Sequence, residues 1–290
     1  MSAENATPTD LDIDAYFARI GYDGPRDVSL STLNAIVFAH VTAIPFENID
    51  VLLGRGIDLE LSAIAQKLVH ARRGGYCFEH NTWLLHVLTT LGFEAQAVSA
   101  RVRIGRARDF TPPRTHVFVL VTLDGERWLA DVGVGGLSPT AALRLSADTL
   151  GQPQATPHEP RRIIAEGAWS GLSQRSPDAR LFHQAQLADG QWHDVCEFTL
   201  EVMHPIDREL GNWFTSAHPR SHFRDRLIVA RATPTGRVTL LNRELTERGP
   251  DGVGHTRLLE SPEALVSALA QHFDLDLPAE TRFPGLDWGV

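Results

Sequence analysis

The chain has 290 residues, 43% of them hydrophobic and 22% charged, with a net charge of −9. That is an ordinary globular composition, long enough for two or three structural units. The acidic balance argues against a nucleic-acid partner, no apolar run reaches membrane-span length, and the polar start Ser2-Ala3-Glu4-Asn5 is unlike a signal peptide. With only two cysteines, far apart, no disulfide framework forms, and a reducing, cytoplasmic setting is expected.

Residues 10–92 read as helical. Asp10 to Ile20 gives a short helix closed by Gly21, and Ser29 to Thr42 carries Leu30, Leu33, Val37 and Val41 at helical spacing until Pro45 stops it. Leu61 to Arg72 is a third helix, running into Gly74-Gly75. A fourth starts at Cys77, with Asn81, Leu84, Leu88 and Leu91 on its stripe and Gly92 as its stop. From Phe93 the pattern turns strand-like: Ala95–Val102, His116–Thr122, Trp128–Val132, Leu181–Leu187 and Gln191–Leu200, then Leu227–Arg231 and Arg237–Leu241. Residues 146–162 and 168–180, rich in Pro, Ser, Gly and Gln, read as loops. A last helix has Ser261 as N-cap and Pro262 in its first turn. Helices, then strands, then a mixed end give an α+β protein with boundaries near 92 and 200.

The stretch Arg72-Arg73-Gly74-Gly75-Tyr76-Cys77 concentrates the chemistry. A helix N-terminus favours a thiolate, and the glycine pair lets other backbone approach the sulfur. Such a cysteine is a candidate nucleophile when a His and an Asp can join it. His116 opens the apolar run Thr115–Val121, and Asp124-Gly125 separates it from Arg127–Val132, the pattern of a hairpin with a two-residue turn. In that register Leu123 faces Glu126, and Asp131 opposes Phe118 on the face that carries His116. A three-residue loop would put Asp131 on the opposite face. Given the two-residue turn, His116 takes the thiol proton and Asp131 holds the imidazole, the equipment for covalent acyl transfer. Cys196, in phase with Trp192, Phe198 and Leu200, reads as core. His218 and His222 have metal-like spacing, but Pro219 lies between them with no third ligand evident, so no metal is expected.

Arg73-Gly74-Gly75-Tyr76-Cys77-Phe78-Glu79-His80-Asn81 resembles the R-G-G-x-C-F-E-x-N signature of the arylamine N-acetyltransferases. Pro45-Phe46-Glu47-Asn48 is similar to their P-F-E-N element, Thr115-His116 to their histidine segment, and Asp131-Val132-Gly133-Val134-Gly135 to their D-x-G-F-G segment with Val134 in place of Phe. Asn212-Trp213-Phe214 and Pro219-Arg220-Ser221-His222-Phe223 match more loosely. The resemblance implies a Cys77, His116, Asp131 triad and a ping-pong transfer of acetyl from acetyl-coenzyme A, a co-substrate and not a resident cofactor, through an acetyl-Cys77 thioester to arylamines or arylhydrazines. It implies a cysteine-proteinase-like core in three parts: a helical bundle (1–92), a β-barrel (93–200) and an α/β lid (201–290).

By the same resemblance Gly133, Val134, Gly135 and Gly136 line the coenzyme A and acceptor cleft. Thr215 or Ser216 replaces a coenzyme A contact that Ala217 lacks. Phe46, Tyr76, Ile104 and Val134 border the acceptor, where the small Val134 implies room for bulky arylamines. Glu47 and Arg73 are expected to pair, tying the first helices to the Cys77 loop. The expected partners are small molecules, with no nucleic acid or membrane, and the chain is expected to be a monomer or homodimer. The triad alone also suits a thiol amide hydrolase or a transglutaminase-like enzyme, and a non-catalytic binding protein on this fold is a third reading; acetyl-coenzyme A dependence separates them.

Overall fold

The structure, a computed structural model, describes residues 10–166, 180–278, 280–283, 285–286 and 288. Helix α1 (Asp10–Ile20) ends at Gly21 with φ of +65°, and α2 (Leu30–Ala43) starts at Ser29, whose hydroxyl accepts from the Thr32 N–H. After Pro45 the chain forms a two-residue strand, β1 (Phe46–Glu47), and a short helix, α3 (Ile49–Leu52), neither of which the sequence pattern foretold.

The expected third helix is divided. α4 (Leu61–Ala65) widens into a π-helical turn over Gln66–His70, where the Ala71 N–H bonds the Gln66 carbonyl. Helix α5 (Cys77–Thr90) follows, and the chain leaves it at Gly92 with φ of +93°.

The strands are β2 (Glu94–Val102), β3 (His116–Leu123), β4 (Glu126–Ala130), β5 (Leu143–Leu145), β6 (Arg161–Glu166), β7 (Arg180–Gln186) and β8 (Trp192–Val202). They form one antiparallel seven-stranded sheet in the order β5-β4-β3-β2-β8-β7-β6. The sheet curls into a nearly closed barrel, and Gln154 spans its two ends. The Gln154 backbone pairs with Arg161 of β6, while its side-chain amide accepts from the Arg144 N–H and donates to the Arg144 carbonyl of β5. β6 begins inside the segment 146–162 read as loop. Of the second expected loop, 167–179 lies outside the described residues and Arg180 opens β7.

Strand β3 explains its own composition. Val119 and Val121 pack outward against Trp83, Leu84 and Leu88 of α5, and Phe118 and Leu120 pack inward with Leu129, Leu143 and Phe198. A strand buried on both faces reads as a continuous apolar run.

After β8 comes α6 (Pro205–Ala217), which the sequence pattern also missed. Its apolar residues Ile206, Leu210 and Trp213 fall at helical spacing but are exposed, while Gly211 and Thr215 are its buried residues, so its apolar stripe faces away from the core. Strands β9 (Ile228–Ala232), β10 (Arg237–Leu241), β11 (Glu244–Arg248) and β12 (Gly254–Leu258) make a second sheet with β1 at its edge, in the order β1-β9-β10-β11-β12. Helix α7 (Pro262–Phe273) covers it through Leu265, Leu269 and Phe273 against Val229 and Leu240. The fold is α+β, as expected, and among the described residues no helix is long and apolar enough to cross a membrane.

Pairing of β1 with β9 has a local consequence. Phe46 and Glu47 pair with Ala230 and Val229, while the Glu47 N–H bonds the Gly75 carbonyl at 2.7 Å. The loop before Cys77 is thereby stitched to the second sheet.

Candidate active site

Cys77 is the first residue of α5, where the unpaired N–H groups of the helix concentrate positive potential. The Glu79 carboxylate reaches back to accept from the Tyr76 N–H at 3.0 Å, fixing the turn that presents the cysteine. The two glycines before it are needed for close packing of the loop itself. A Cβ at Gly74 would stand 2.1 Å from the Pro45 carbonyl oxygen, and one at Gly75 would stand 2.7 Å from a Glu79 oxygen. The backbone that approaches the nucleophile belongs to Gly133, where a Cβ would stand 2.7 Å from the Cys77 Cα.

His116 and Asp131 come from the hairpin in the two-residue register. Asp124 and Gly125 both take positive φ, 52° and 78°, the mark of a type I′ turn, and Leu123 faces Glu126. Asp131 follows the end of β4, and its Oδ2 accepts from His116 Nε2 at 2.7 Å. Its Oδ1 accepts from Asn81 Nδ2 at 2.9 Å and from the Gly133 N–H at 2.9 Å. Asn81 also donates to the Val117 carbonyl and accepts from the Val132 N–H, so one side chain on α5 fixes both hairpin strands.

With Nε2 committed to Asp131, Nδ1 is the nitrogen left for Cys77, whose thiol donates to the Thr115 carbonyl oxygen at 3.6 Å. Burial disfavours a charged imidazole, but Asp131 outweighs it and Cys77 adds to the effect, raising the His116 pKa to about 10. Burial opposes ionisation of Asp131 too, yet His116 with the Gly133 and Asn81 donors leaves its pKa lowered. The pair is therefore an imidazolium–carboxylate, buried at 1% exposure on both sides.

Cys77 and His116 open into a cleft of about 1600 Å³ between the barrel, α6 and the second sheet. Phe46, Ile104, Gly133, Val134, Gly135, Gly136 and Thr215 all line it. Two expected wall residues do not. Tyr76 is fully buried, its hydroxyl donating to Asn212 Oδ1, and Ser216 turns its hydroxyl back onto the Asn212 carbonyl at 2.7 Å. Thr215 lines the cleft, but its own hydroxyl bonds the Gly211 carbonyl. Val134 also packs into the barrel interior with Phe118 and Leu143. The cleft wall carries Arg101, Arg106, Arg220, Arg226, Arg237 and Arg248 against Glu159, Asp189 and Asp251, a basic lining in an acidic protein.

Behind the Cys77 loop the expected Glu47–Arg73 pair is present, with Arg73 Nη2 2.6 Å and Nε 3.1 Å from Glu47 Oε1. It belongs to a larger network. Lys67, carried inward by the π turn, bonds Glu79 at 2.7 Å and Asp50 at 2.8 Å. Burial raises the Glu79 pKa to about 7 despite Lys67. A neutral chain runs alongside: Tyr16 to His40 at 2.9 Å, His40 to His80 at 2.7 Å, and His80 to the Gly75 and Pro45 carbonyls. Because His80 Nε2 donates to those carbonyls, each ring accepts at Nδ1, and burial lowers the His80 pKa to about 4.

Cys196 is buried in the barrel as expected, but it is no ordinary core residue. Its sulfur, a His116 nitrogen and an Asp131 oxygen all lie within 4.8 Å of one another. Burial pushes its thiol pKa well up, so it stays neutral beside the pair. Only the pairing of β8 with β2, which sets Cys196 opposite Val102, brings it there.

A buried thiol and a histidine–aspartate pair at the head of a deep cleft define the equipment of an acyl-transfer enzyme. The family model described as N-acetyltransferase matches residues 29–282. The arylamine N-acetyltransferase of Mycolicibacterium smegmatis is 41% identical over 92% of this chain and 93% of its own length, and that of Escherichia coli K12 is 38% identical over 90% and 87%. The solved structure of Mycobacterium marinum arylamine N-acetyltransferase in complex with CoA superposes with a TM-score of 0.81 at 37% identity, covering 90% of this chain and 92% of that one. This chain belongs to the arylamine N-acetyltransferase family and is an acetyltransferase.

Proposed function

We propose that this enzyme moves an acetyl group from acetyl-coenzyme A to the nitrogen of an arylamine or arylhydrazine through a thioester on Cys77. The observation that carries the reading is the His116–Asp131 pair at 2.7 Å, with Cys77 and His116 facing one cleft. The proton of Cys77 rests on the His116 imidazolium, and the Cys77 thiolate attacks the acetyl carbonyl of the donor. The C–S bond to coenzyme A breaks, and the departing thiolate recovers a proton from His116. The amine then attacks acetyl-Cys77 and loses a proton to the neutral imidazole, and the amide leaves as the Cys77 thiolate is restored beside the imidazolium. Asp131 keeps the ring oriented through both halves and stabilises it whenever it carries the proton.

The basic lining supports a polyanionic donor. Arg106, Arg220 and Arg226 are exposed at the cleft, near His222 and Phe223, where phosphates would find partners. Phe46, Val134, Ile104 and Phe223 give the apolar surface an aromatic acceptor needs. A single cleft suits successive substrates, with coenzyme A leaving before the amine arrives.

Initial velocities over a grid of acetyl-coenzyme A and arylamine concentrations test the order of events. Parallel double-reciprocal lines are the expected result. Intersecting lines would replace the covalent cycle with direct transfer in a ternary complex, and acetyl release without any amine product would make the enzyme a hydrolase.

A further inference from the structure

Gly133-Val134-Gly135-Gly136-Leu137-Ser138 runs from the Asp131 side of the hairpin along the cleft floor. It touches the reacting groups directly, since Gly133 abuts Cys77 and donates to Asp131. Its far end is held by charge. Arg161, fully buried on β6, donates from Nη1 to the Leu137 carbonyl at 2.9 Å, and Arg237 on β10 donates from Nη2 to the Ser138 carbonyl at 2.8 Å. Glu159 joins the two guanidiniums, accepting from Arg161 and, at 2.8 Å, from Arg237. His183 Nε2 accepts a further Arg161 bond at 3.1 Å. The cluster thus draws on both sheets to hold two successive carbonyls of one loop. His158 fastens the same junction, with Nε2 donating to the Thr233 and Gly236 carbonyls of the turn between β9 and β10.

We propose that Arg161, Glu159 and Arg237 are positioning residues for acetyl transfer, acting through the Gly133–Ser138 loop to set the cleft floor against Cys77. A buried guanidinium is costly unless its partners are well placed, and here each guanidinium has a loop carbonyl among its partners beside the shared Glu159. A shift of the loop moves Gly133 against the Cys77 Cα, where a Cβ already has no room. The exposed Asp14–Arg26 pair, by contrast, has no bond to this loop or to Cys77 among the described residues. The proposal rests on the acetyl-Cys77 reading above.

The test compares two reactions of the same thiol in the full-length enzyme: acetylation by acetyl-coenzyme A, followed by acid-quenched intact mass, and alkylation by iodoacetamide, which needs the Cys77–His116 pair but not the shaped cleft. Arg161→Gln and Arg237→Gln are each expected to slow acetylation at least about tenfold while alkylation stays within about twofold of wild type, because small displacements cost oriented reactions most. The double variant is expected to be no slower than the slower single, since both act on one loop. Unchanged acetylation in the folded variants would overturn the proposal, as would alkylation slowed in proportion or multiplying effects in the double variant. Where Arg161→Gln fails to fold, Arg237→Gln decides by the same criteria. A wild-type enzyme that alkylates at Cys77 but takes no acetyl group would sink the thioester reading, and this proposal with it.

Discussion

Two charged networks flank Cys77, and they are built differently. On the helical side Glu47, Asp50, Lys67, Arg73 and Glu79 all fall within residues 47–79, and their outer members keep some solvent: the Arg73 and Lys67 side chains are each 17% exposed. On the barrel side Glu159 and Arg161 meet Arg237 from another sheet, and the Arg161 side chain has no exposure at all. The local network braces the loop that presents the thiol. The long-range one braces the loop that shapes the floor opposite it. Damage on the helical side should therefore appear first as lost stability, and damage on the barrel side first as lost rate.

Asp131→Asn should break the barrel side most severely, lowering kcat/KM by roughly 10³–10⁴-fold with the fold retained, since the imidazole loses its tautomer and its counter-charge. The same variant sharpens the electrostatics. The His116 pKa is raised from 6.5 to about 10, so the stability it contributes is complete below pH 6.5 and drains away as pH rises toward 10. Urea midpoints for wild type and Asp131→Asn should converge across that window; a gap independent of pH would contradict the charged pair.

Gly133→Ala comes next. Its methyl would press on the Cys77 Cα, and activity should fall about 100-fold. Acetyl-transfer assays on this variant below its Tm separate the loop's role from simple unfolding.

On the helical side Glu47→Gln should cost about 3 kcal/mol in chemical denaturation, because it removes the shorter ion pair of a mostly buried Arg73 and leaves only the 3.4 Å contact with Asp50. The surviving folded enzyme should keep kcat within a few-fold, measured well below the transition. A kcat loss rivalling that of Asp131→Asn would erase the contrast between the two sides. The smallest effect belongs to the exposed Asp14–Arg26 pair, where Asp14→Asn should change stability by about 0–1 kcal/mol and activity not at all.

The same contrast decides what the sequence could reveal. The helical side was legible because its parts are contiguous: Arg73 to Asn81 carries the thiol, the glycines and Glu79 in one run, and Glu47 sits in a motif of its own. The hairpin was legible because Asp124-Gly125 fixes its register. Arg161 carried no such signal, lying at the end of a segment whose Pro and Gln content reads as loop; Leu137 comes to it from a loop, His183 from the neighbouring β7, and Arg237, through Glu159, from the other sheet. Cys196 was read as core for the right local reason, its alternation, while its place beside His116 depends on which strands become neighbours. Helix α6 was missed although Pro205 in its first turn and Ile206, Leu210 and Trp213 at helical spacing mark it; that stripe faces solvent and not the core. Tyr76 is expected at the cleft with Phe46, but its burial against Asn212 turns it away.

The central claim is that Cys77 carries the acetyl group between donor and acceptor. Mixing the enzyme with acetyl-coenzyme A alone, quenching in acid within seconds and measuring intact mass tests it directly. A single acetyl adduct that maps to Cys77, is absent from Cys77→Ala and disappears on adding an arylamine as the N-acetyl product forms is the result expected. No adduct on an enzyme that still acetylates arylamines, or an adduct that persists in Cys77→Ala, would contradict it.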